Sequence, residues 1–234
     1  MKTLKILGLL MSYPKPDWVA HLDDCAALLK RQDLLPKKQL KGVLAFIEEL
    51  QLADIYEVQE QYVSTFDRGR SHSLHLFEHI HGESRDRGQA MVNLSDAYAE
   101  KGLIIDKAEL PDYIPLFLEY LSLCPTDEAF ELLGEPIDIM ATIATRLQKR
   151  NSSYAVLFDA LVALSRVKPS EEKIREVLAQ ALEDQSLEAL DKEWEEAAAF
   201  AGNPAQSDCG GCAAPHDDLS IQIRRYEEFT WQTT

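Results

Sequence analysis

Apolar residues recur at helical spacing along most of this chain. Ile55, Val58, Tyr62 and Phe66 repeat every three or four positions, the stripe that one face of an α-helix turns toward a core. Asp54 precedes them and Glu57 follows three residues later, a capping box in which each side chain serves backbone amides at the helix start. Leu40, Val43, Leu44, Ile47 and Leu50 form another stripe, opened by Pro36, whose fixed φ and missing N–H suit a first helical turn. Met91, Leu94, Ala97 and Tyr98 predict a helix over 89–100, with Gly102 as its stop. Asp112 is placed to cap a helix through Leu116, Leu118 and Leu121 that ends near Pro125. Pro136 opens a helix to Arg150, Ser152 or Ser153 opens one to Val167, and Ser170 and Ser186 each precede a further helical stretch. The apolar run within Met1–Met11 is brief, and Tyr13-Pro14-Lys15-Pro16 follows it rather than a small-residue cleavage site. It reads as a first helix stopped by proline, not as a signal peptide. No segment alternates with period two between hairpin turns, and no internal repeat stands out. The pattern predicts an all-α fold, a single compact helical bundle over residues 1–201. Gly202-Asn203-Pro204 breaks the last long helix, and residues 202–234 read as a flexible C-terminal tail.

Composition narrows the function classes. At 234 residues the chain can bury a full core without disulfides or metals. Forty acidic residues stand against 24 basic ones, a net charge of −16. That balance argues against nucleic acid, whose binding depends on Lys and Arg at phosphates, and against anionic membrane surfaces. It favours cationic partners. No segment reaches the ~20 consecutive apolar residues of a membrane span. Cys25 and Cys124 sit singly in helical apolar patterns and read as small core residues. Without an export signal, the cysteines place the chain in the reducing cytosol. Residues 171–200 hold ten acidic and three basic residues; they read as solvated helix faces or as a docking surface for a basic partner.

Residues 66–91 depart from this picture. Four of the six histidines lie here, with Asp67, Glu78, Glu83 and Asp86 balanced by Arg68, Arg70, Arg85 and Arg87. The whole net charge of the chain therefore lies outside this segment. A neutral polar island in an acidic helical protein is a candidate recognition surface, or a bend pinned by its own ion pairs. A metal reading would use His75 and His79, four apart on one helical face, with His72 and Glu78. It lacks the His-Glu-x-x-His order and a fixed third ligand. Cys209, Cys212 and His216 form a weak second metal candidate, since one Cys-x-x-Cys pair without a second is common by chance. A hydrolytic reading through Glu78, Glu83, Ser73 or Ser84 has nothing to fix its geometry, and no phosphate-binding glycine loop is present. The chain reads as a non-enzyme.

The island resembles a known family. Phe66-Asp67-Arg68-Gly69-Arg70, Ser73-Leu74, Leu76-Phe77-Glu78-His79 and His81-Gly82-Glu83-Ser84-Arg85-Asp86-Arg87-Gly88-Gln89-Ala90-Met91 are similar to the hallmark of the chaperones that assemble respiratory nitrate reductase. This is the NarJ/NarW type, also called the nitrate reductase delta subunit. The likeness continues at Glu109-Leu110-Pro111-Asp112, Leu118-Glu119-Tyr120-Leu121-Ser122 and Ser153-Tyr154-Ala155-Val156-Leu157-Phe158-Asp159. It covers residues 54–165 well. In the wider group of molybdoenzyme chaperones a histidine often follows the Pro-Asp matched here; Tyr113 stands in its place.

The resemblance implies an all-helical, cytoplasmic chaperone. It implies binding to the N-terminus of the apo catalytic (alpha) subunit of nitrate reductase. It further implies support for insertion of bis-molybdopterin guanine dinucleotide and iron–sulfur clusters, delayed membrane docking, and absence from the finished enzyme. No cofactor would stay bound to the chaperone itself, and molybdenum cofactor biosynthesis proteins would be further partners. Two other readings are a stable subunit of the complex and a zinc-dependent enzyme built on His75, Glu78 and His79. For the chaperone reading, helices over 54–123 form a groove for a helical peptide. Tyr62, Phe66, Phe77 and Tyr98 supply its apolar floor. Asp67, Arg68, Arg70, Glu78, His79, His81, Glu83, Arg85, Asp86, Arg87, Gln89 and Asp112 supply its polar rim.

Overall fold

In a computed structural model of the chain, the described residues are 1–67, 70–79, 85–105 and 109–183. They form α1 (Lys2–Leu10), α2 (Pro16–Val19), α3 (Leu22–Gln32), α4 (Lys37–Leu52) and α5 (Ile55–Phe66). Two short 3₁₀ turns, Arg70–His72 and Leu76–His79, lead to α6 (Arg85–Glu100), α7 (Ile114–Leu123) and α8 (Thr126–Gly134). Then come α9 (Ile137–Lys149), α10 (Ala155–Leu164) and α11 (Glu171–Glu183). The fold is all-α, as the apolar periodicity predicts. No helix among the described residues is long and apolar enough to cross a membrane. The predicted tail at 202–234, with Cys209, Cys212 and His216, and the stretch after Ser186 lie outside the described residues.

The strongly apolar α10 sits centrally, packed on α9, α4 and α1, with Leu157, Phe158, Ala160 and Leu161 wholly buried. The pairing of α1 with α7 is the most intimate in the fold. A Cβ at Gly8 would stand 3.0 Å from the Pro115 carbonyl oxygen and 3.2 Å from Leu118 Cβ, so glycine there lets two backbones meet. Cys25 and Cys124 are buried free thiols. An aromatic ladder crosses the elements: Phe46 and Phe66 lie 4.9 and 5.0 Å from Tyr154, and Tyr13 lies 5.5 Å from Tyr62.

Local signals worked where their partners were near in sequence. Asp54 Oδ1 accepts from the Tyr56 amide at 2.8 Å, and Pro36 and Pro136 immediately precede α4 and α9. Gly102 adopts φ +78° after α6, with the Leu103 amide on the Tyr98 carbonyl at 2.9 Å, a left-handed helix stop. Three expectations are corrected. The helix expected from Gln89 starts a turn earlier, at Arg85. The one expected to reach Val167 ends at Leu164, where Ser165 takes an extended conformation. Asp112 does not cap α7: Tyr113 occupies that position without a side-chain cap. Helix α8 falls between Pro125 and Pro136, a stretch to which the sequence reading assigns no element.

Candidate functional site

The end of α5 and the start of α7 are stitched together by residues 70–79. The Leu76 amide donates to the Asp112 carbonyl at 3.0 Å, and the Ile114 amide to the Leu74 carbonyl at 2.8 Å. Together they make an isolated antiparallel bridge between His75 and Tyr113. Asp112, wholly buried, is the latch of this strap. One of its carboxylate oxygens accepts the Phe77 amide at 3.0 Å and the other meets His75 Nδ1 at 3.2 Å. A carboxylate shut away from water is tolerable only with such donors.

The remaining contacts fix the strap from both sides. His79 Nε2 donates to the Ser73 carbonyl at 2.9 Å. Arg146 of α9 donates to the Ser71 carbonyl at 2.8 Å. Ser71 Oγ and His72 Nδ1 lie 2.9 Å apart. Below the strap, the Tyr62 and Tyr113 hydroxyls are 3.3 Å apart, and the Tyr98 hydroxyl donates to the Pro111 carbonyl at 2.8 Å. Arg87 of α6 faces Glu78 at 3.9 Å.

The three described histidines of the strap sit in different electrostatic settings. Hydrogen bonding to Asp112 raises the His75 pKa above 6.5, against the opposing effect of burial. Burial lowers that of His79, against the Ser73 carbonyl that favours its charged form. Burial, then Arg150, Arg146 and His79, push His72 down to about 4. His72 is therefore a neutral ring near pH 7. Burial also lowers Arg146 and raises Tyr62 and Tyr98.

These placements change the expected groove. Tyr62, Phe66 and Tyr98 belong to the core, with at most 5% of their surface exposed. They do not form an open apolar floor, because the aromatic ladder and the strap cover them. Phe77 alone of the four is only partly buried. Asp112 likewise presents no surface; it acts on Phe77 and His75 from beneath. Glu78, His79 and Arg87 are half-buried, while Asp67 and Gln89 are exposed, Gln89 bonding Asn93 at 2.9 Å. Arg68, His81 and Glu83 lie outside the described residues, as do the side chains of Arg70, Arg85 and Asp86. His75 and His79 do not share a helical face, because a 3₁₀ turn separates a bridge residue from its end. No group of three metal-binding side chains occurs among the described residues. Sequence reasoning missed Arg146, Ser71, Ser73 and Tyr113 as parts of the strap, and read His75 and His72 only as metal candidates. No local signal marks these roles, since each depends on an element distant in sequence.

Comparison with known proteins bears on the same segment. A family model described as nitrate reductase delta subunit matches residues 31–160. The chain is 42% identical to the nitrate reductase molybdenum cofactor assembly chaperone NarJ of Escherichia coli K12, over 84% of this chain and 83% of that protein. It is 41% identical to the probable chaperone of the same kind NarW from that strain, over 84% and 82%. A probable NarJ chaperone of Bacillus subtilis 168 is 32% identical, over 69% of this chain and 86% of its own length.

Proposed function

The chain belongs to the nitrate reductase delta subunit family, and from that premise we propose how it serves as an assembly chaperone, not an enzyme. Its client is the catalytic subunit of respiratory nitrate reductase. The chaperone acts in the cytoplasm through a domain spanning residues 1–201, with 202–234 as an appended tail. It binds the N-terminal segment of the apo subunit and keeps the subunit open for bis-molybdopterin guanine dinucleotide and iron–sulfur cluster insertion. It delays membrane docking until loading is complete, and it leaves the finished enzyme. The cofactor passes into the client and is not retained by the chaperone.

The observation that carries the site assignment is the strap latched by buried Asp112. Asp112, just before α7, and Arg146 of α9 both hold residues 70–79 across the α5–α7 junction. The strap presents Phe77, Glu78 and His79, and Arg87 of α6 faces Glu78. A helical client segment packs its apolar side on Phe77 and its polar side on this rim, together with Asp67, Gln89 and the neighbouring charges of the island. Tyr62, Phe66 and Asp112 support that surface from below.

Calorimetric titration with the N-terminal peptide of the cognate catalytic subunit, against a scrambled peptide, tests the reading. Specific binding at micromolar or better is expected. Glu83→Ala, Arg85→Ala and Asp86→Ala, each folded by circular dichroism, are expected to weaken it. Normal binding by all three would make the island structural. No binding by the wild type would refute N-terminal client recognition.

A further inference from the structure

Two buried side-chain polar atoms among the described residues lack a hydrogen-bond partner, and both belong near the C-terminal end of α9. They are His72 Nε2 and Ser152 Oγ. His72 is held there because Arg146 grips the carbonyl of the preceding residue, Ser71, at 2.8 Å. Ser152 lies in the turn that ends α9, its amide on the Leu147 carbonyl at 3.0 Å. Arg146 and Arg150 are the cations acting on the His72 ring.

The chemistry of the missing partner follows from these groups. The Ser71 hydroxyl can donate to His72 Nδ1 at 2.9 Å. With the Ser71 hydroxyl as that donor, a neutral imidazole carries its one proton on Nε2, a buried donor with no acceptor. A serine hydroxyl can donate as well. Two arginines acting on the ring that carries an unsatisfied donor favour an acceptor that is anionic. Orphaned buried polar groups are rare in folded proteins, and a ligand absent from the structure is one explanation.

We propose that Ser71, His72 and the C-terminal end of α9 form a carboxylate-binding subsite, filled by an aspartate or glutamate of the client segment with His72 Nε2 as its central donor. The inference rests on the client reading above. It adds an acidic anchor to a partner otherwise expected to be basic. Because Nε2 is buried, filling the site requires the strap to shift against α9, so the carboxylate would be read only after the segment has docked.

The test uses the full chain, the cognate N-terminal peptide, and the same peptide with every Asp and Glu replaced by its amide. His72→Leu removes the orphaned donor, while His72→Gln keeps a donor. His72→Leu is expected to raise the unfolding temperature of the free chaperone and to weaken peptide binding at least tenfold. His72→Gln should retain more affinity than His72→Leu. The amide peptide should bind wild type at least tenfold more weakly, yet lose little further on His72→Leu. The peptide arm needs no altered chaperone, so it decides even if a variant misfolds. Binding that is indifferent to the peptide's carboxylates overturns the subsite alone. No binding of either peptide to wild type overturns client recognition, and the subsite with it.

Discussion

Asp112 shows why single residues in this protein resist local interpretation. An aspartate just before an apolar helix is a sound cap signal, yet its carboxylate reaches back 35 and 37 residues to Phe77 and His75. Asp112→Ala would remove the acceptor of the Phe77 amide and the partner of His75, and a loss of about 2–3 kcal/mol is expected in chemical denaturation. Asp112→Asn keeps one acceptor and should cost about 1 kcal/mol. The histidines give opposite pH signatures. The His75 pKa is raised above 6.5 by Asp112, so its contribution is complete below 6.5 and fades as pH rises through the raised value. His72 and His79 are lowered; their neutral forms are favoured in the fold, so they weaken stability as pH falls below 6.5. For His72 that loss continues down to about 4. Denaturation midpoints measured from pH 8 to pH 4 should therefore fall less steeply on the acid side in His72→Leu than in wild type. An unchanged slope would mean that His72 is not held neutral.

Among elements, α6 has a weak hold on the body. Of its described side chains only Tyr98 is buried, helped by its bond to the Pro111 carbonyl and by the long Arg87–Glu78 pair. Helices secured by so few buried contacts open locally before the rest. Amide exchange should be faster in 85–100 than in α7, α9 or α10. Tyr98→Ala should accelerate it across 85–105 while leaving α10 protected; global acceleration would place α6 inside the cooperative core instead. The α1–α7 contact lies at the opposite extreme. Gly8→Val, forced against the Pro115 carbonyl, should destabilise the whole domain by about 1–3 kcal/mol. The contrast explains what was legible. Helices such as α4, α5 and α9 announce themselves by a stripe and a start signal, a capping aspartate at α5 and a proline at α4 and α9, because both are local. The island stood out by composition, and its family likeness is carried by the same residues. The strap was not legible, because the hydrogen bonds that anchor it join residues 35 to 75 apart and its two 3₁₀ turns have no periodic signature. The open aromatic groove failed for a related reason: Tyr62, Phe66 and Tyr98 have the spacing of a core face, and the core is where they are.

At the scale of the whole molecule, the proposed function assigns charge and recognition to different regions. Residues 66–91 hold equal numbers of acids and bases, so the net −16 arises elsewhere. On that proposal, a field spread over the body would attract a cationic client segment from a distance, whereas a balanced surface would read it at contact. These two functions separate kinetically. Salt screens interactions beyond ~10 Å at 0.1 M and ~3 Å at 1 M, so raising it should slow association strongly and change dissociation little. Neutralising exposed acids outside the island, as in Glu171→Gln with Glu172→Gln, should act in the same direction and leave the off-rate intact. Phe77→Ala should do the reverse, speeding dissociation with little effect on the association rate, since most affinity within one interface is set by the off-rate. Stopped-flow measurements with the cognate peptide distinguish these outcomes. If affinity instead rises with salt, or if the α11 variant changes the off-rate as Phe77→Ala does, capture and reading are not divided in this way, and the acidic body is itself part of the binding surface.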